Sequence, residues 1–430
     1  MFAPSANIAQ VKTTSYKVAL PFYLYAAVSF LAATLLLFTS SSTFLIHYFQ
    51  PHVLAITHIM ALGWGTMIIL GASHQLVPVI IEGKLYSNTL AHSSFILAAV
   101  GIPLLAYSFY IFNMGELARC GGVLVLLSIL AYIINLSVSI LKSKSENVHA
   151  IFVLTAAAWL LFTASLGLTL VYNFTLPLLS HDSVHYLPLH AHAGIIGWFL
   201  LLVIGVASRL IPMFLISKYN NVKLLWWIYF FINAALILYI ILFYFPGNES
   251  FTLLPALMLL AAIMLFIFFC YKAMRQRLRR QIDEQIKTSL LSVVIMIVPV
   301  FLLAAIIISL AFISKQNIRL VLSYGFLIFF GWLTAMILGM TFKTLPFIVW
   351  NKVYHHASSA GKTPNPKDLF AHKYFKMMMY SYIAGLIFFI AGIFSSLIVL
   401  LKCGAVLLII AAFLYNLNVI KIVLHKRVIK

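Results

Sequence analysis

The chain has little charge and hardly any acid. Only 8% of its 430 residues are Asp, Glu, Lys or Arg, and just eight of those are acidic. A soluble domain needs a shell in which roughly a quarter of all residues are charged, so a water-facing fold is excluded. Three cysteines, Cys120, Cys270 and Cys403, stand isolated in apolar runs. They offer neither a disulfide framework nor a paired-cysteine motif. The acids Glu82, Glu116, Glu146, Asp182, Glu249, Asp283, Glu284 and Asp368 all fall in loops or at span ends. A proton pump needs titratable relays inside the membrane, and none of these carboxylates supplies one. No cleavable leader is expected either, because "MFAPSANIAQVKTTSYK" is polar and the apolar run behind it outlasts a signal core of ~7–15 residues.

What is present is apolar sequence: 64% of the chain, with a mean hydropathy of +1.08. This specifies an all-α integral membrane protein. Crossing ~30 Å of hydrocarbon takes ~20 residues, and runs of that length lie near 19–39, 51–81, 88–111, 117–141, 149–173, 185–216, 222–245, 252–273, 287–313, 317–349, 372–400 and 402–425, twelve in all. Lys and Arg gather after the even-numbered spans, as in "LKSKSEN", "SKYNNVK" and "YKAMRQRLRRQIDEQIK". By the positive-inside rule both termini face the cytoplasm. The net charge of +20 then reads as an orientation signal and an attraction to anionic membrane lipid, with no nucleic-acid partner.

Three segments repeat. "HIMALGWGTMIILGASHQLVP" starts at His58, "HAGIIGWFLLLVIGVASRLIP" at His192 and "FLIFFGWLTAMILGMTFKTLP" at Phe326. The interval from Trp64 to Trp198 equals that from Trp198 to Trp332, and Pro78, Pro212 and Pro346 keep the same spacing. The chain therefore reads as one membrane domain, 1–430, of three pseudo-symmetric four-helix arcs with repeats at about 19–141, 149–273 and 287–425. Such a period departs from transporters whose halves repeat after six helices. Trp64, Gly71 and Pro78 share a stripe, and the glycine lets a neighbouring helix come close. Gln75, Arg209 and Lys343 recur before the prolines and read as heads snorkelling to the interface.

His58 and His192 are repeat equivalents, set by the helical rise of ~1.5 Å per residue on the order of 8–12 Å below the outer surface. Ionisable groups at such depth are costly and point to function, and neutral imidazole is the commonest metal ligand. His190 and His192 are two residues apart, hence ~200° apart around a helix, and so face opposite clefts. The repeat suggests that His192 shares a cleft or cofactor with the second helix and His58, while His190 faces the other neighbour. His92 and His74 are further candidate metal ligands; His74 lies ~24 Å deeper than His58 and is a separate, inner candidate. His181 and His185 in "SHDSVHYLP" read as solvated loop residues. The loop holding His355 and His356 carries a "GKT" without the upstream glycine of a phosphate loop.

Twelve spans in three arcs, with "LHAHAGIIGW" on a central helix, resemble the haem-copper oxidase subunit I superfamily, including nitric oxide reductases. "THIMALGWGTMIILGASHQLVP" is also similar to membrane proteins of the NnrS kind. The resemblance implies haem as cofactor, with copper beside it, held by His58, His190 and His192. It also implies oxygen or nitric oxide chemistry, an electron-donor cytochrome or other respiratory subunits as partners, and a bacterial-type inner membrane. The sequence departs from that pattern. The His pair is on the sixth helix instead of the tenth, Phe326 stands where the repeat predicts His, and the start of the seventh helix has no histidines, leaving His92 as the nearest copper-ligand analogue. A gas or metal sensor, a haem or copper handling protein, and a small-solute transporter are the competing readings.

Overall fold

The computed structural model describes residues 14–143, 147–245, 249–278, 281–313, 317–354 and 363–427. His355, His356 and Gly361 lie outside them. Among the described residues twelve helices are long and apolar enough to cross a membrane: α1 (Tyr16–Thr39), α2 (Pro51–Ile80), α3 (Asn88–Tyr110), α4 (Glu116–Leu141), α5 (Val148–Asn173), α6 (Leu187–Leu215), α7 (Val222–Tyr244), α8 (Leu253–Arg275), α9 (Glu284–Ala311), α10 (Ile318–Tyr354), α11 (His372–Ser395) and α12 (Ile398–Val423). Among the described residues no strand forms beyond an isolated bridge between Ser217 and Arg277. The chain is a multi-pass, all-α membrane protein.

Burial sorts the helices. The apolar windows of α2, α6 and α10 are 72%, 78% and 78% buried, while the other nine range from 28% to 56%. The three motif helices therefore form the centre and the rest a lipid-facing ring. The ring closes where Asn416 of α12 donates to the Ala27 carbonyl of α1 at 2.8 Å. Glycine sets how closely each arc packs on its motif helix: a Cβ on Gly71, Gly205 or Gly339 would stand 2.6, 2.4 or 2.4 Å from Phe22, Phe152 or Ser289 on the arc's first helix. Each central helix also contains a π-helical segment, Ile59–Thr66, Ala193–Leu200 and Leu327–Leu333. All three begin at the same position of the repeat. Such wide turns concentrate at functional sites, and here they follow directly on His58, His192 and Phe326.

The tryptophans meet around the axis in a cyclic order. Trp198 Nε1 donates to Thr66 Oγ1 of the first arc at 3.0 Å, and Trp64 Nε1 donates to Thr334 Oγ1 of the third at 3.1 Å. The matching acceptor for Trp332 would be residue 200, and Leu200 has no hydroxyl. Trp332 Nε1 is accordingly buried without a partner. At the helix ends where the prolines lie, Lys343 does more than snorkel, since its ammonium is 2.6 Å from Asp283 Oδ2.

Candidate cofactor site

At the histidine end of the central helices a cavity of about 930 Å³ separates the arcs, lined by His58, His190 and His192. That volume is near the top of the ~300–1,000 Å³ range of ligand pockets. Pro51 opens α2 and Pro188 lies in the first turn of α6, starting each helix where its missing N–H costs nothing. His58 follows Pro51 by about two helical turns and His192 follows Pro188 by about one, and both helices deliver their histidines to the cavity.

All three rings are anchored by Nδ1. His58 Nδ1 bonds the Leu54 carbonyl at 2.8 Å, and His192 Nδ1 bonds the repeat-equivalent Pro188 carbonyl at 2.7 Å. His190 Nδ1 reaches across to the Thr163 carbonyl of α5 at 3.1 Å. A carbonyl only accepts, so Nδ1 carries the proton and the neutral ring presents a bare Nε2 lone pair. This carbonyl anchoring of one nitrogen is the arrangement that orients metal-ligating histidine.

The histidines do face opposite clefts, but their partners are the reverse of the sequence expectation. His190, not His192, meets His58: the ring centroids are 6.3 Å apart and the planes 19° from parallel. His192 faces Tyr324 of the third arc at 6.0 Å, with Tyr239 of its own arc at 5.2 Å. Rotational symmetry explains the reversal. Repeat equivalents occupy successive clefts around an axis and so cannot share one. Tyr324 is the repeat equivalent of His190, so the first cleft pairs His58 with His190 and the second pairs His192 with Tyr324. The third carries Phe326 and Ile56 at those positions, and Phe326 stacks on Phe389 at 4.4 Å.

The residues of the first cleft fit a haem. His58 and His190 would hold it, two imidazoles of different helices on one cavity, each with Nδ1 already bonded to a carbonyl. Gly167 of α5 leaves the space His190 needs, since a Cβ there would be 2.7 Å from its Cε1. In the second cleft His192 Nε2 is buried with no partner, a cost the protein carries unless a ligand takes the lone pair. A multi-ligand copper centre does not fit: no group of three or more His, Cys, Asp or Glu among the described residues is placed to hold a metal ion. His74 packs between Phe22 and Tyr132 at 5.4 and 5.7 Å, and neither it nor His92 lines the cavity. His181 and His185 stack at 4.3 Å in the loop before α6, and His185 reaches the cavity. Tyr324, Thr163 and Gly167 were not singled out by sequence; of these only Tyr324 had a signal, its repeat register with His190.

No protein-family model matches the chain and no curated protein matches it in sequence. Solved structures do: 26 chains match in fold. One, from a heme-copper terminal oxidase dimer determined by cryo-EM, superposes with a TM-score of 0.66 at 10% identity, covering 96% of this chain and 85% of that one. The chain therefore shares the fold of that heme-copper terminal oxidase chain.

Proposed function

We propose that this protein binds haem in the first cleft between His58 and His190 and serves respiratory electron transfer. The observation that carries the reading is the pair of near-parallel imidazoles, each with Nδ1 tied to a carbonyl and Nε2 bare. Haem held there supplies one-electron redox chemistry. The chain's own contribution is to fix both rings, to keep them neutral, and to surround the site with apolar side chains such as Phe109, 4.4 Å from His58. With both imidazoles of the first cleft committed to holding haem, oxygen or nitric oxide chemistry would belong to the second cleft, where His192 meets Tyr324. Without turnover there, the protein is a handling or sensing protein. In this reading the chain is one domain, 1–430, of three units near 19–141, 149–273 and 287–425, in a bacterial-type inner membrane with both termini cytoplasmic. An electron-donor cytochrome or further respiratory subunits are its partners.

The test is an optical and paramagnetic-resonance spectrum of the full chain purified from haem-replete cells, scaled to folded protein. His58→Ala and His190→Ala each abolish a bis-imidazole signal, and His192→Ala retains it. If all three variants keep wild-type haem content, the site is structural and the reading fails. A haem-free protein favours the small-solute transporter. Oxygen and nitric oxide consumption then separates an enzyme from a handling protein.

A further inference from the structure

A second cavity lies on the pseudo-symmetry axis, directly beyond the tryptophan ring toward the prolines. Its wall is built of repeat-equivalent triplets, among them Ile69, Val203 and Ile337, then Ala72, Val206 and Met340. No titratable side chain lines it except Tyr23. Its volume is about 100 Å³, below that of an apolar cavity of roughly 150 Å³ that stays dry and takes up xenon or benzene.

Water needs two to four polar partners in such a space, and the protons of all the wall's hydroxyls but that of Thr341 are already engaged. Ser73 donates to the Leu70 carbonyl at 3.0 Å. Thr344 donates to the Met340 carbonyl at 3.0 Å, which leaves Tyr23 to donate to Thr344 Oγ1 at 3.0 Å. Thr341 Oγ1 receives the Tyr415 hydroxyl at 3.1 Å. A space this size, apolar but for the Thr341 hydroxyl proton, favours a small uncharged molecule over water, which needs two to four polar partners.

We infer that the axial cavity is a binding site for an uncharged gas of one or two atoms. Ile68 and Leu202 line it, while Thr66 and Trp198, two and four residues earlier on the same helices, line the outer cavity. At ~1.5 Å per residue the two spaces are separated by about one helical turn. Gas held on the axis is thus stored next to the histidine cavity without occupying it. The assignment rests on the lining alone and stands or falls independently of haem.

The experiment is xenon pressurisation of crystals of the full chain, read by anomalous scattering. A xenon peak between Val203, Val206 and Ile337 is expected. Ala72→Leu, which fills the space, should lose that peak while leaving the His58 and His190 spectrum unchanged, and the volume-conserving Ile69→Leu should keep it. The measurement on the unaltered protein decides the question even if a variant fails to fold. Ordered water, a lipid acyl chain or no xenon in the axial cavity each overturns the inference.

Discussion

The tryptophan ring contains its own control. Two of its three members donate to a threonine of the preceding arc, and for the third the equivalent position holds Leu200, so identical perturbations should have unequal costs. Thr66→Val keeps the shape of the side chain but removes the acceptor of the buried Trp198 Nε1. Orphaning a buried donor costs ~1–3 kcal/mol, although measured couplings between membrane helices average only ~0.6 kcal/mol and reach ~1.7 kcal/mol. Double-mutant cycles isolate the bond from the packing. Thr66→Val with Trp198→Phe, and Thr334→Val with Trp64→Phe, should each give a coupling within ~0.6–1.7 kcal/mol. Leu200→Val with Trp332→Phe should give a coupling near zero, and Trp332→Phe alone should be the mildest of the three tryptophan variants. The assay is reversible denaturant unfolding in mixed micelles, followed by helical circular dichroism. Equal couplings in all three cycles, or none in the first two, would refute the cyclic bonding scheme. Because Thr66 and Trp198 also line the outer cavity, the first cycle should perturb the cofactor spectrum, and the third should not.

Three further outcomes are expected. Gly167→Ala brings a methyl to 2.7 Å from His190 Cε1, an overpacking worth ~1–3 kcal/mol, and should lower haem retention severalfold, measured by the haem-to-protein absorbance ratio. A topology reporter inserted after Lys142 should read cytoplasmic and one after Leu178 external; the opposite pattern would invert the proposed orientation. If vesicles containing the protein reduce oxygen or nitric oxide, a pH-sensitive dye should register only the protons the chemistry consumes. Asp283 and Glu284 are paired with Lys343 and Lys376 at 2.6 and 3.2 Å.

The spans were legible because a membrane imposes a length of apolar sequence on every crossing, and Pro51 and Asn88 open their helices close to where hydropathy begins. Where hydropathy does not change, the boundary was lost. The eleventh and twelfth spans read as 372–400 and 402–425, yet the chain turns at Ser396, which adopts a left-handed φ of 58° with no glycine or proline to mark it. The arcs were legible from the spacing of Trp64, Trp198 and Trp332. The partner of each histidine was not. The rotation angle between His190 and His192 was not at fault, because both stand on regular helix ahead of the π segment that begins at Ala193. Sequence equivalence says that His58 and His192 have the same surroundings, and on a rotation axis the same surroundings lie in different clefts. The pairing of Lys343 with Asp283 was hidden for a simpler reason, since the whole of α9 and most of α10 separate them along the chain.

The gradation of the three clefts leads to a stronger test than any deletion. Position for position they hold His58 with His190, His192 with Tyr324, and Phe326 with Ile56. The first two are alike in geometry: the ring centroids are 6.3 and 6.0 Å apart, and His58 and His192 make the same Nδ1 bond to the carbonyl four residues earlier. They differ in the group opposite, an imidazole nitrogen in one and a phenol in the other. Tyr324→His replaces a larger ring by a smaller one, so it needs no new space, and it should give the second cleft the donor set of the first. The expected outcome is a bis-imidazole signal that rises toward twice its wild-type intensity per folded chain. His192→Ala in the same background should return it to the wild-type level, and His190→Ala should remove only the original half. An unchanged signal in Tyr324→His, with the protein folded and haem supplied, would mean that the second cleft is not a cofactor site. The unpartnered His192 Nε2 would then be a buried defect and not a ligand.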